Sequence, residues 1–144
     1  MHLLPITLQR VQETRQANQK INEPMTTFNW LIVAHLVGDW MLQNDWMARY
    51  KQSSLFNRAI AVHCIIYTVT VLVSLWLAAL KHQLQPAYFQ VSLIILLSHW
   101  VIDAAALAKR WARLFRQSNT SFVHIMVDQT MHVLVLACLA EFLL

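Results

Sequence analysis

Turn-forming residues are scarce in this 144-residue sequence, which contains one glycine and three prolines. A transmembrane β-barrel needs a turn after every strand, so this scarcity argues against that architecture. Charged residues are also scarce, at 12%, whereas soluble domains contain about 25%. Hydrophobic residues make up 58% of the chain. The composition therefore predicts an all-α integral membrane protein, because helices satisfy their own backbone polar groups within lipid.

The two cysteines, Cys64 and Cys138, fall in apolar stretches and form no CxxC motif. We interpret them as small buried residues rather than as a disulfide framework or as thiolate metal ligands. The net charge of +4 is ordinary for a membrane protein with basic loops, so we predict no nucleic-acid partner. Residues 1–27 lack the apolar core of a cleavable signal peptide, and we expect the first membrane helix to act as the insertion signal.

Four apolar stretches follow a polar tail and predict a bundle of four transmembrane helices. Residues 1–27 are rich in Gln, Asn and Thr, and we expect a mobile tail, an interfacial helix or a partner-binding arm. Thr26 or Thr27 is the expected cap of the first membrane helix. Each stretch approaches or exceeds the roughly 20 residues that cross the hydrocarbon core. The membrane domain covers residues 28–144, with predicted helices at Phe28–Met47, Asn57–Leu80, Pro86–Leu107 and Ser121–Leu144.

Basic residues set the predicted orientation of the bundle. The side on which the first helix ends carries seven of them, and the other side carries four: Arg49, Lys51, Arg58, Lys109, Arg110, Arg113 and Arg116 against Arg10, Arg15, Lys20 and Lys81. The positive-inside rule then places loops 48–57 and 108–120 in the cytoplasm and both termini outside. We expect a multi-pass protein of a bacterial plasma (inner) membrane. Its basic loops contact anionic lipid head groups or, alternatively, form a phosphate-binding rim.

The first apolar stretch carries ionisable residues where lipid would reject them. His35, Asp39 and Gln43 recur every four residues, which places them along one stripe of a helix. Such groups are expensive inside a membrane and need partners or a wet cavity. We therefore expect partners at the same depth on the other helices.

The predicted topology brings the intramembrane ionisable residues into one half of the bilayer. The second helix adds a histidine about two turns from its start, and the third and fourth each add a His–Asp pair at i, i+4 spacing. Both members of such a pair can reach a single ion, and imidazole with carboxylate suits Zn²⁺, Mn²⁺ or Fe²⁺. The predicted ligands of a divalent metal ion, with zinc favoured, are His35, Asp39, His63, His99, Asp103, Asp128 and His132.

Seven candidates exceed the four ligands of one tetrahedral ion, so two ions are possible, or one ion with carboxylates as outer partners and general base. We interpret Asp39, Asp103 and Asp128 as candidate catalytic carboxylates of a metal-dependent hydrolase acting on a lipid-like substrate. Gln43 and Gln129 are expected to support ligands. The alternative is a non-catalytic membrane subunit, or an ion- or proton-handling module, in which the network is structural. A protein partner or a homo-oligomer fits both interpretations.

The run AHLVGDWMLQNDWMARYK and the later SHWVID and VDQTMH elements resemble a domain-of-unknown-function family of small polytopic bacterial membrane proteins. The resemblance covers about residues 30–140 and implies an ordered polar site, with no reaction attached. This chain has Ala104–Ala106 where the family commonly has a lysine, and Trp40 where it has Phe. A looser similarity to membrane-bound metal-dependent hydrolases is an analogy only. The matched positions are His35, Gly38, Asp39, Gln43, His63, His99, Asp103, Asp128, Gln129 and His132.

Overall fold

Helices account for nearly all of the regular structure in the computed structural model, which describes residues 10, 11, 14 and 25–144. The described residues contain no strand, so the all-α prediction is confirmed for them. Most of the predicted tail lies outside the described residues. The elements from residue 25 onward are α1 (Thr27–Leu36), a π-helical turn (Val37–Met41), α2 (Asp45–Tyr50), α3 (Arg58–His82), α4 (Tyr88–Ala104), α5 (Leu107–Leu114) and α6 (Ser121–Phe142).

Two of these helices, α3 and α6, are each long and apolar enough to cross a membrane. The pair α4 and α5 makes a third candidate span if both helices cross as one unit, although they meet at a bend of 56°. The structure is therefore compatible with a membrane protein. Four uninterrupted transmembrane helices, as the sequence predicted, are not confirmed.

The first apolar stretch does not form the continuous helix predicted over Phe28–Met47. Thr26 caps α1 by accepting a hydrogen bond from Asn29 N at 3.2 Å, and α1 ends at Leu36. Asn44 has extended backbone angles and caps α2 by accepting from Met47 N at 2.9 Å. Asparagine side chains compete with helical hydrogen bonding in this way, so the chain leaves the helix before Asn44 and starts a new one after it.

The third stretch also departs from the prediction, since the helix expected over Pro86–Leu107 bends near its end. Ala106 adopts a left-handed conformation, with φ 48° and ψ 48°, which is unfavourable for a residue with a Cβ. The helix α5 then leaves in a new direction, with Ala108 and Ala112 buried on one side. The packing of α5 against α6 accounts for this bend, which no glycine or proline at residues 104–107 predicts.

Apolar side chains pack in two clusters, one on each side of the polar residues. The larger cluster joins α1, α3, α4 and α6, and the smaller lies nearer the basic loops. Cys64 belongs to the smaller cluster as expected, whereas Cys138 is exposed on α6, contrary to the prediction. The ionisable residues thus occupy one level between two apolar layers. The larger cluster contains Leu31, Ala34, Tyr67, Val71, Leu75, Val91, Ile95, Leu136 and Leu139, and the smaller Ile60, Cys64 and Ala104.

Candidate metal centre

The π-helical turn Val37–Met41 carries Asp39 into the interior, and Gly38 lets this turn lie directly against α3. A Cβ added at Gly38 would lie 3.1 Å from Tyr67 Cδ2 and 3.3 Å from Tyr67 Cα. Both separations are shorter than ordinary contact between carbon atoms, which is about 3.5–4.0 Å. The one glycine of the chain therefore controls how closely Asp39 approaches the histidine of α3.

Four potential ligand atoms converge from the π-helical turn, α3 and α4. The centre of the group is His63 Nε2, which lies 3.1 Å from Asp39 Oδ1, 3.0 Å from Asp103 Oδ2 and 3.0 Å from His99 Nε2. His99 Nε2 in turn lies 3.4 Å from Asp103 Oδ2 and 3.8 Å from Asp39 Oδ1. All four residues are buried. We call these four residues the primary cluster.

The spacing of the primary cluster fits a tetrahedral divalent ion. Metal–ligand distances of about 2.0–2.2 Å require neighbouring ligand atoms to be about 3.3–3.6 Å apart, and the measured separations of 3.0–3.8 Å bracket that range. Hydrogen bonds alone do not satisfy the group, because His63 Nε2 carries at most one hydrogen for its three neighbours. Asp39 Oδ1 is buried and has no hydrogen-bond partner in the part of the chain that the structure describes. The primary cluster could therefore hold a metal ion.

Aromatic stacking orients one imidazole of the primary cluster. The Nδ1 atoms of His63 and His99 are buried and have no hydrogen-bond partner among the described residues. Metal-binding imidazoles usually donate this second nitrogen to a carboxylate or carbonyl group, so that support is missing here. The ring of Tyr67 instead stacks on His99 with a centroid distance of 3.8 Å and an interplanar angle of 11°. Tyr67 thus fixes the plane of the His99 ring.

His35 lies next to the primary cluster, and both of its nitrogens are engaged in hydrogen bonds. Its Nε2 donates to Gln129 Oε1 at 2.8 Å, and its Nδ1 accepts from the Tyr67 hydroxyl at 3.2 Å. Gln129 links His35 to Asp39, because its amide nitrogen donates a hydrogen bond to Asp39 Oδ2 at 2.6 Å. The structure therefore links His35 to Asp39 through Gln129, and the ligand role expected for His35 stays a prediction.

Lys51 enters the site from the end of α2. Its Nζ lies 3.0 Å from Asp103 Oδ2, and the side chain is largely buried. Burial alone would lower the pKa of Lys51, but the carboxylates of Asp103 and Asp39 outweigh this effect and raise it above its usual value. A buried ammonium group thus lies beside Asp103. It comes from Lys51 and not from the positions after Asp103, where the resemblance described above implies a lysine and this chain has Ala104–Ala106.

A second group of ligands adjoins the primary cluster and shares Asp39 with it. One ligand atom each from Asp39, Asp128 and His132 lies within 4.8 Å of the others. His132 Nδ1 donates to the backbone oxygen of Asp128 at 2.8 Å, which leaves Nε2 to act as an acceptor or ligand. That Nε2 is buried and lies 4.0 Å from Asp103 Oδ1. Neither atom has a hydrogen-bond partner among the described residues.

A groove of about 570 Å³ leads from the basic end of the molecule to these residues. Asp39 and Asp128 both line it, so the groove reaches each group of ligands. The groove is lined by Asp39, Trp40, Gln43, Ala48, Lys51, Gln52, Ala108, Lys109, Ser121, His124, Ile125, Asp128 and Gln129.

The two groups of ligands together contain six of the seven residues predicted from the sequence, with His35 apart from them. Gln129 supports Asp39 as expected, while Gln43 lines the groove. Sequence reasoning missed Tyr67 and assigned Lys51 only to the basic loops. Tyr67 follows His63 by four residues, so the helical spacing that identified the His–Asp pairs would also have found it.

Comparison with known proteins places the chain in a family without assigning a reaction. No curated protein matches it, and no solved structure does. The model of a family of proteins of unknown function, DUF3307, matches residues 27–144. The matched region begins at α1 and includes every residue of the candidate metal centre. The chain therefore belongs to the DUF3307 family of proteins of unknown function.

Proposed function

We propose that this chain is an integral membrane protein that binds a divalent metal ion in the primary cluster and uses it to hydrolyse a lipid-like ester. The observation that carries the proposal is the convergence of two imidazole nitrogens and two carboxylate oxygens, all buried and all within 4.8 Å of one another. Each nitrogen lies 3.0–3.8 Å from the other nitrogen and from both oxygens. Two nitrogens and two oxygens without a thiolate suit zinc, and also manganese or iron.

The groove gives this ion a route to a substrate. It opens at the end that holds Lys51 and Lys109, which the proposed topology places on the cytoplasmic side of the membrane. Trp40 and Ile125 supply apolar lining, and Asp128 and Gln129 supply polar groups deeper inside. An amphiphile with a polar head and an acyl or isoprenoid chain matches such a lining better than a wholly polar solute does.

The chemistry follows from the two kinds of carboxylate in the groove. Asp39, His63, His99 and Asp103 would hold the ion, which would polarise the ester and would activate a water molecule in a coordination position beyond these four ligands. Asp128 lines the groove and lies outside the primary cluster, so it is placed to accept a proton from that water. The water oxygen bonds to the carbonyl carbon or phosphorus, the bond to the leaving oxygen breaks, and the proton passes from Asp128 to that oxygen.

A second candidate function is a non-catalytic polar network that fixes helix packing. It is favoured by one observation, the ion pair between Lys51 Nζ and Asp103 Oδ2 at 3.0 Å, since an ammonium group already neutralises part of the negative charge. The groove counts against this alternative, because a network that only joins helices needs no opening. Metal content and turnover distinguish the two functions.

The experiment is elemental mass spectrometry on detergent-purified protein, followed by assays with phospholipids in mixed micelles. Asp39→Asn and His99→Gln should lose bound metal and turnover together. Asp128→Asn should keep the ion of the primary cluster and lose turnover. The matched control is Glu141→Gln, which removes a carboxylate that is exposed near the opposite end of α6. Folded wild-type protein that binds no metal when purified without chelator would refute the hydrolase and favour the structural network.

A further inference from the structure

We propose that the centre is binuclear: a second divalent cation binds between His132, Asp128 and the carboxylates that face them, next to the ion of the primary cluster. This inference rests on the proposed function for the first ion. It adds a site with its own ligands, so its failure can be separated from the failure of the first.

The imidazole of His132 is arranged to bind a cation through Nε2. Its Nδ1 donates to the backbone oxygen of Asp128 at 2.8 Å, which fixes the tautomer and leaves a lone pair on Nε2. That Nε2 is buried with no hydrogen-bond partner among residues 25–144, and the side chain is only 2% exposed. A hydrogen bond from one imidazole nitrogen to a carbonyl is the arrangement that prepares the other nitrogen for a metal.

The two carboxylate oxygens of Asp103 have different neighbours. Its Oδ2 belongs to the primary cluster, 3.0 Å from His63 Nε2. Its Oδ1 lies 4.0 Å from His132 Nε2 and has no hydrogen-bond partner within the described part of the chain. Two buried lone-pair atoms facing each other at that separation leave space for a cation, since each metal–ligand bond is about 2.0–2.2 Å. Asp103 is thus placed to bridge two ions, one through each oxygen.

Asp39 and Asp128 complete the second site. Single ligand atoms of Asp39, Asp128 and His132 lie within 4.8 Å of one another, a spread that contracts when a cation draws them together. Two-metal sites hold their ions about 3.5–4 Å apart through shared ligands, and Asp39 is common to both groups. One oxygen of Asp128 would bind the ion and the other would remain for the proton transfer proposed above.

The ligand chemistry indicates which cation each site prefers. The primary cluster has equal numbers of imidazoles and carboxylates, whereas the second has one imidazole and up to three carboxylates. A site richer in carboxylate favours the harder Mn²⁺ over Zn²⁺. Because Asp39 and Asp128 line the groove, the second ion is the one closer to an incoming substrate.

Net charge then defines the class of ligand that enters the groove. Metal-binding carboxylates are ionised, so Asp39, Asp103 and Asp128 together with Lys51 carry a net charge of −2, that is, −3 + 1. One divalent ion makes this region neutral, and two leave an excess of positive charge. The binuclear centre therefore favours an anionic group at the groove, such as a phosphate ester.

The test is metal stoichiometry with Mn²⁺ as the probe. Full-length protein in detergent is loaded with Mn²⁺, desalted and analysed for manganese per chain, together with its electron paramagnetic resonance spectrum. We expect about two ions per chain and an exchange-coupled spectrum in the wild type, because carboxylate-bridged ions interact. Asp128→Asn and His132→Gln should each hold about one ion and give the spectrum of an isolated ion. His124→Gln is the matched control, one turn from Asp128 in the same groove, and should behave as the wild type.

Several results would overturn the second site. One ion per chain in the wild type, unchanged in both variants, would leave the primary cluster intact and remove the binuclear centre. Two ions retained in both variants would show that these residues are not ligands. Loss of both ions from folded Asp128→Asn would also contradict the inference, since the primary cluster is complete in that variant. Absence of manganese and zinc from the wild type would refute the proposed function itself.

Discussion

The ammonium group of Lys51 lies 3.0 Å from Asp103 Oδ2, the same oxygen that His63 Nε2 approaches at 3.0 Å. A metal ion bound by that oxygen therefore stands within a few ångströms of a positive charge. A divalent ion and a unit positive charge about 5 Å apart at an effective dielectric constant of about 20 repel each other by about 7 kcal/mol. Lys51 should therefore weaken the binding of a metal ion at this site and stabilise the metal-free protein.

Substitution of this lysine separates those two effects. Lys51→Met should lower the thermal stability of the metal-free protein, because Asp103 loses its buried partner, at a cost of about 3–5 kcal/mol. It should also tighten zinc binding by roughly 100-fold or more, because the repulsion between the ammonium group and the ion is removed. The melting temperature, measured with and without zinc, should therefore rise more on zinc addition in Lys51→Met than in wild type. An equal rise in both would contradict the predicted competition.

Gly38→Ala should move Asp39 away from the primary cluster. The added methyl group would meet Tyr67 at 3.1 Å from Cδ2 and 3.3 Å from Cα, and such overpacking costs about 1–3 kcal/mol. We expect a lower melting temperature together with loss of bound zinc. Leu36→Ala is the matched control, since this residue precedes the π-helical turn on an exposed face. Full zinc content in folded Gly38→Ala protein would show that the close approach to α3 does not matter.

Tyr67 has two separable contacts, a hydrogen bond to His35 and a stacked contact with His99. Tyr67→Phe removes only the hydroxyl. It should lower the free energy of unfolding by about 1 kcal/mol and leave the zinc content unchanged. Tyr67→Leu also removes the stacked contact with His99 at 3.8 Å, and only this variant should lower zinc affinity. Chelator competition measures both affinities. Equal loss of affinity in the two variants would mean that the hydroxyl, rather than the ring, positions His99.

Gln129 joins His35 to Asp39, with distances of 2.8 Å and 2.6 Å to its two partners. Gln129→Leu leaves Asp39 Oδ2 without its donor. Loss of such an outer hydrogen bond commonly costs about 10- to 100-fold in metal affinity, and we expect a decrease of that size for zinc. Gln52→Leu, a change of the same kind at an exposed position of the groove, should have no such effect. An unchanged zinc affinity in Gln129→Leu would show that the hydrogen bond from Gln129 to Asp39 does not support metal binding.

Much of the candidate metal centre could be predicted from the sequence because its information is local. The pairs His99–Asp103 and Asp128–His132 share a helix face through four-residue spacing alone. The depth of each pair along its apolar stretch then brings the pairs to one level. Neither step requires knowledge of the loops.

The place of Lys51 could not be predicted in this way, because it depends on where the first apolar stretch breaks. A continuous helix over Phe28–Met47 would have carried Lys51 away into the loop. The run Gln43–Asn44–Asp45 was the available signal, since Asn and Asp favour helix caps over helix interiors. The bend after α4 gave no such signal, because Ala104–Ala106 are good helix formers and tertiary packing decides their conformation.

X-ray absorption at the zinc K edge tests the central claim most directly, because it reports the ligands of the ion itself. For zinc-loaded wild-type protein we predict only nitrogen and oxygen neighbours at about 2.0–2.2 Å, with imidazole scattering and no sulfur. His99→Gln protein, which should lose the ion of the primary cluster, should not give this spectrum. A shell of oxygen alone, as expected for zinc on surface carboxylates, or any sulfur neighbour would contradict an ion held by Asp39, His63, His99 and Asp103.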